Sequence, residues 1–177
     1  MPGFVINGKG EPGPPNTIDL LYNHRWMITQ LGPISQNDTL VARDLGLPDL
    51  KFDKQEILAG LIWYKYAKSV RWDDASVTFY DNGDIGKKIQ EWQDSVFTVA
   101  DGIKQHHPSG GYKKDSIFSL LDGEGTERQK FTLKNSWPIS ISPGKLSYTD
   151  TNIKLLVVTL SFDWAEFETT NESQSHG

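Results

Sequence analysis

Two adjacent histidines, two pairs of aspartates and one glycine triplet are where this sequence brings chemically useful groups close together. His106 and His107 carry imidazoles of the kind that hold zinc, with His24 and His176 far from them in sequence. Neighbours on an extended chain point to opposite sides, and no carboxylate stands at ligand spacing, so the pair reads as part of a solvated loop. Asp73-Asp74 and Asp81/Asp84 offer carboxylates for acid/base work or calcium. The EF-hand order is absent, and Asp81-Asn82-Gly83-Asp84 is explained as a turn whose side chains accept backbone hydrogen bonds. Gly8, Gly10 and Gly13 match the dinucleotide spacing G-x-G-x-x-G, but that motif must open a helix, which Pro12, Pro14 and Pro15 forbid. No G-x-S-x-G, H-E-x-x-H or P-loop occurs. With no cysteine, thiolate metal sites, cysteine nucleophiles and disulfides are excluded. The residues argue for no enzyme, no metal and no cofactor.

The elements that would position such groups are clearer than the groups themselves. In residues 75–80, Ala75, Val77 and Phe79 alternate with Ser76, Thr78 and Tyr80, the pattern of a strand with one buried face. A helix follows, with Ile85, Ile89, Trp92, Val96 and Val99 spaced at three and four residues to form one apolar stripe. Asp84 is placed to cap its N-terminus. A single-stripe helix takes most of its stability from packing, so the stripe must lie on a sheet. The helix–sheet core is expected to join Val77, Phe79, Ile85, Ile89, Trp92 and Val96 with Leu156, Val158 and Leu160.

Elsewhere the chain reads as strands and turns. Residues 1–21 form a flexible or extended Gly/Pro-rich arm. Residues 23–31 are a strand stopped by Gly32-Pro33, and residues 39–43 a short extended piece before a turn at residues 44–49. Residues 101–111 read as a polar loop. Residues 116–121 and 128–133 flank Asp122-Gly123-Glu124-Gly125 as a hairpin. Pro138 places residues 136–141 on an edge or bulged strand. Residues 152–164 read as the central strand, with Ile153, Leu155 and Val157 on one face and Leu156, Val158, Leu160, Phe162 and Trp164 on the other. Residues 166–177 read as a loose acidic tail.

Residues 52–70 stand apart. Apolar side chains fall on both faces of this ribbon, with Gly60 as a break, as in a strand covered twice or pairing with another chain. Such a ribbon is a liability for a lone protomer.

At 177 residues one domain is expected. The net charge of -5 disfavours a dedicated nucleic-acid binder, and six Trp, six Tyr and eight Phe suit sheet cores or subunit interfaces. Met1-Pro2-Gly3-Phe4 shows neither basic region nor apolar run, and nothing approaches the roughly 20 apolar residues of a membrane span. The expectation is a soluble, cytosolically made, mainly β protein: a sandwich or barrel with one packed helix. A self-assembling subunit and a stand-alone β-sandwich binding module, for instance for carbohydrate through exposed Trp, both fit.

Leu47-Pro48, Gly60, Trp72-Asp73-Asp74 leading into Val77-Thr78-Phe79, the helix with Trp92, Tyr112-Lys113-Lys114, Trp137-Pro138 and a last strand ending at Trp164 together resemble the tail-tube protein of contractile-tailed bacteriophages. The resemblance spans residues 22–166, leaving the arm and a tail over residues 167–177 outside it. It implies protomers in hexameric rings whose inner sheets join into one barrel. The rings would stack into a hollow conduit within a contractile sheath, assembled in the host cytoplasm into the virion. Sheath, baseplate or tube-initiator and tail-terminator proteins are the implied partners, with DNA passing through an acidic lumen and no membrane contact. It also implies that residues 46–72 touch neighbouring protomers, nominating Leu47, Pro48, Phe52, Ile57, Leu58, Leu61, Ile62, Trp63, Tyr64 and Tyr66. Position alone nominates Asp44, Asp49, Asp53 and Glu56 for the lumen. The arm and tail leave open a baseplate tube initiator or the tube of a related device, such as a type VI secretion system.

Overall fold

The computed structural model describes residues 23–103, 111–144, 146–149 and 151–169. The arm, the glycine triplet, His106, His107, His176 and the end of the tail lie outside the described residues. The chain is mainly β. Strands β1 (Trp26–Leu31), β8 (Lys114–Leu121), β9 (Glu127–Ser142), β10 (Leu155–Ser161), β5 (Ala75–Tyr80) and β2 (Ala42–Gly46) lie side by side in that order, with β11 (Trp164–Thr169) added along β9. Every pairing is antiparallel. β3 (Leu50–Ala59) and β4 (Ile62–Trp72) form a separate hairpin, as do the two-residue strands β6 (Phe97–Thr98) and β7 (Gly102–Ile103).

β9 joins two wings. Its first half pairs with β8 and β11, and its second half with β10. Between them Asn135 takes a positive φ of 56° and the register with β8 skips. The wings enclose one core: Ile28, Leu31, Phe118 and Leu133 from one side meet Val77, Phe79, Leu156, Val158 and Leu160 from the other. Helix α1 (Asp84–Val96) adds Ile85, Ile89 and Trp92 to the same cluster, and Val96 is buried beside it. Each large side chain so buried contributes roughly 1.5–3 kcal/mol before chain entropy is counted. Pro138 sits opposite Leu160 at a register shift, in the half of β9 that pairs only with β10, so it lies in a bulged segment with one free edge, where its missing amide leaves no ladder bond unmade.

Several local expectations are corrected. The helix ends at Val96 because Phe97 turns extended (φ -146°) to pair with Ile103, which leaves Val99 95 % exposed. Asp84 is the first helical residue and not the cap: Gly83, with φ 86°, precedes it, and Asn82 Oδ1 accepts the Ile85 amide at 3.1 Å. Residues 36–41 form a 3₁₀ turn, and Asp44 to Gly46, expected in a turn, lie in β2. The long last strand breaks at Phe162-Asp163, so Trp164 opens β11 while Ile153 lies exposed before β10. β11 runs on through Thr169, so residues 166–169, expected in the tail, pair with β9.

Candidate assembly surface

The β3–β4 hairpin leaves the sheet between β2 and β5. At its base the Asp73 amide donates to the Asp49 carbonyl at 3.0 Å, and Lys51 pairs with Asp73. Trp72 packs its ring on Phe162 and Phe167, with centroids 6.1 and 5.6 Å apart. Beyond that anchor β3 and β4 pair only with each other. Ala59 faces Ile62 across a two-residue turn, where Gly60 has φ 67°, the positive value that tight hairpin turns require. The ribbon read as one extended run is thus folded back on itself.

The register places Phe52, Leu58, Trp63 and Val70 on one face and Ile57, Ile62, Tyr64 and Tyr66 on the other. All are exposed, and Leu61 at the tip is 99 % so. An isolated two-stranded hairpin is marginal in water, and an apolar one also presents surface that soluble monomers rarely leave wet. Leu47 and Pro48 behave differently. Leu47 packs against the core and Pro48 is buried, so both serve the protomer's own interior.

The four nominated carboxylates do not gather. Asp44 lies on β2 beside Arg43 at 3.3 Å, and Asp49 precedes the hairpin. Asp53 accepts from Ser69 at 2.8 Å and pairs with Arg71 at 3.3 Å, whereas Glu56, on the opposite face, sits 2.9 Å from Lys54 and 3.8 Å from Lys65. Over residues 50–72 the formal charge is a net +3, so the hairpin is basic on an acidic chain. Among the described residues no three His, Asp or Glu gather to hold a metal, and no helix is long and apolar enough to cross a membrane.

Elsewhere, carboxylates serve turns and connections. Asp81 is held below the usual range by Lys154 at 2.5 Å and by the Gly83 amide; Asp38 is lowered by Lys88 and Ser35. A buried hydroxyl chain escaped the pattern of alternation: Ser116 and Ser136 meet at 2.7 Å, and the Gly32 amide donates to Ser116 at 3.0 Å. No buried side-chain polar atom among the described residues lacks a partner.

No family model and no curated protein matches the chain. Solved structures do. One from the tube-terminating cap of the anti-feeding prophage aligns with a TM-score of 0.67 at 20 % identity, covering 85 % of this chain and 92 % of that one. One from the sheath/tube terminator of the PVC extracellular contractile injection system gives 0.65 at 18 %, covering 82 % and 94 %. A third, from the PVC sheath–tube complex in the extended state, gives 0.62 at 19 %, covering 85 % and 93 %. At these identities the likeness is one of fold, and it extends over nearly the whole of each neighbour. The chain has the fold of the tube and tube-terminating proteins of contractile injection systems.

Proposed function

We propose that this chain is a tube-forming subunit of a contractile injection system, whose copies close into hexameric rings and stack into a conduit inside a sheath. The observation that carries this reading is the β3–β4 hairpin, whose large apolar side chains stand exposed on both faces. Only a neighbour can dry both faces at once, and ring closure also pairs or covers the free edges of β2 and β11. Phe52, Ile57, Leu58, Leu61, Ile62, Trp63, Tyr64 and Tyr66 form the inter-subunit surface. Sheath, initiator and terminator proteins are the partners, and the assembled particle is the place of action.

A second reading is favoured by the neighbours from a tube-terminating cap and a tube terminator: a subunit that ends a tube with a single ring. Either reading makes the cargo, DNA in a phage tail or another macromolecule in a related device, a passenger that the chain does not process.

Size-exclusion chromatography with negative-stain microscopy tests the proposal. Tubes are expected for a tube subunit and isolated rings for a terminator. A monomer of 19.9 kDa at every concentration, above all one that binds sugars, overturns both in favour of a stand-alone sandwich.

A further inference from the structure

The turn between β5 and α1 brings two reactive groups together. Among the described residues Asn82 is the one asparagine followed by glycine. Both residues are exposed, and a Cβ built on Gly83 would meet nothing within 4 Å. Gly83 also takes φ 86°, a value that glycine adopts freely. Its main-chain nitrogen therefore has no side chain in the way of the neighbouring Asn82 amide carbon, and water reaches both.

Each reacting group is held by one hydrogen bond. The Ile85 amide donates to Asn82 Oδ1 at 3.1 Å, which polarises the carbonyl and places a donor on the oxygen that turns negative when its carbon is attacked. The Gly83 N–H donates to Asp81 Oδ1 at 2.9 Å, and that bond works in the opposite sense. The nitrogen attacks only after shedding its proton, and a carboxylate beside it disfavours the resulting negative charge. Asp81 is a poor base for that proton, because Lys154 and then the Gly83 amide hold its pKa below the usual range. Lys154 Nζ, 2.5 Å from Asp81 Oδ2, also fixes the carboxylate in place.

We infer that Asn82-Gly83 is a self-modification site at which the chain deamidates without an enzyme, and that Asp81 sets the pace by holding the Gly83 N–H. Once that N–H is released and gives its proton to hydroxide, the nitrogen forms a bond to Asn82 Cγ. The Cγ–Nδ2 bond breaks, and Nδ2 takes a proton from water and leaves as ammonia. A second water opens the five-membered imide at either carbonyl, giving aspartate or an isoaspartate whose main chain runs through Cγ. The sum is one water taken up and one ammonia released, with no change of oxidation state. Aspartate keeps an oxygen for the Ile85 amide and adds a negative charge where the helix dipole favours it. Isoaspartate lengthens the main chain between residues 82 and 83 by one carbon, displacing Gly83 from its bond to Asp81 and loosening the entry to the helix that carries Trp92.

The test is peptide mapping by mass spectrometry of the full-length chain aged at mildly alkaline pH, with isoaspartate counted by a protein-isoaspartate methyltransferase. Conversion of amide to acid at Asn82 is expected to run about tenfold or more faster than at Asn37, Asn135 and Asn152, with isoaspartate among the products. Asp81→Ala should speed conversion at Asn82 severalfold while Asn135 in the same sample keeps its rate, as it does only if the body of the protomer stays folded. Where circular dichroism shows that Asp81→Ala has melted, the isosteric Asp81→Asn answers the same question. Conversion at Asn82 no faster than at the other asparagines overturns the site. A folded Asp81 variant that converts more slowly makes the carboxylate the base that takes the proton, and one that converts at the parent's rate removes it from the step; either overturns the pacing role.

Discussion

Gly32 and Trp92 occupy one space: a Cβ built on Gly32 would stand 2.5 Å from two carbons of the Trp92 indole. Gly32 also has φ 54°, and the indole N–H donates to the Tyr112 carbonyl at 2.8 Å. One side chain thus ties the helix to the end of β1 and to the segment that enters β8. Trp92→Ala should cost about 3–5 kcal/mol by cavity formation. Gly32→Ala should cost about 1–3 kcal/mol from overpacking, with backbone strain in addition. In the double variant the alanine at 32 no longer meets a ring, so urea melts should show a loss smaller than the sum by about 1 kcal/mol or more. Strict additivity would mean that the close approach is not what makes glycine necessary.

If the tube reading holds, the hairpin's exposed side chains serve assembly and not the protomer's fold. Ile62→Asp together with Trp63→Asp should abolish polymers in micrographs. Melting temperature and circular dichroism should stay near those of the parent, because exposed substitutions away from the core usually fall within about 0.5 kcal/mol each. Polymers that persist in this variant would remove the tip from the interface.

These two regions mark what could be read from residues alone. Alternation in residues 75–80 and 155–160 identifies β5 and β10 because one face is buried and the other is not. The spacing of Ile85, Ile89 and Trp92 identifies the helix in the same way. Over residues 52–70 both faces are apolar, so the period carries no information about where the chain folds back. Gly60-Leu61 lacks the Asn-Gly or Asp-Gly signature that would announce a tight turn. Val99 continues the helical spacing, yet a tertiary pairing of Phe97 with Ile103 ends the helix first. Ser116 and Ser136 are polar yet buried, and nothing local marks this, because they bond to each other from strands that meet only in the fold. Surfaces completed by a second copy lie beyond the reach of any pattern within one chain.

Asp122 makes the β8–β9 turn sensitive to acid. Its buried carboxylate accepts the amides of Thr126 and Glu124, each at 2.9 Å, and Arg128 Nε at 2.9 Å. The Thr126 amide above all, then Glu124 and Arg128, hold its pKa below the usual range, against burial, which raises it. A carboxyl lowered by folding stabilises fully above its unfolded value of about 3.9, and that contribution is lost as pH falls through the folded value. The melting-temperature gap between the parent and Asp122→Asn should therefore be constant from pH 5 to 8 and shrink below about pH 4. Comparing with this variant cancels the similar behaviour of Asp38 and Asp81. A gap that is unchanged at pH 3 would show that ionisation of Asp122 plays no part.

Hydrogen exchange should separate the hairpin from the body of the protomer. β10 is paired on both sides and packed on the core, so its amides open only with the whole domain. β3 and β4 pair only with each other, and their large apolar side chains beyond Trp72 are exposed, so in the unassembled chain amides of residues 51–70 should exchange orders of magnitude faster than those of residues 156–160. On assembly, protection should rise sharply over residues 51–70, with little change in the core of β10. Hairpin amides already as slow as β10 in the isolated protomer would mean that the ribbon needs no neighbour, and the physical ground for assembly through it would be gone.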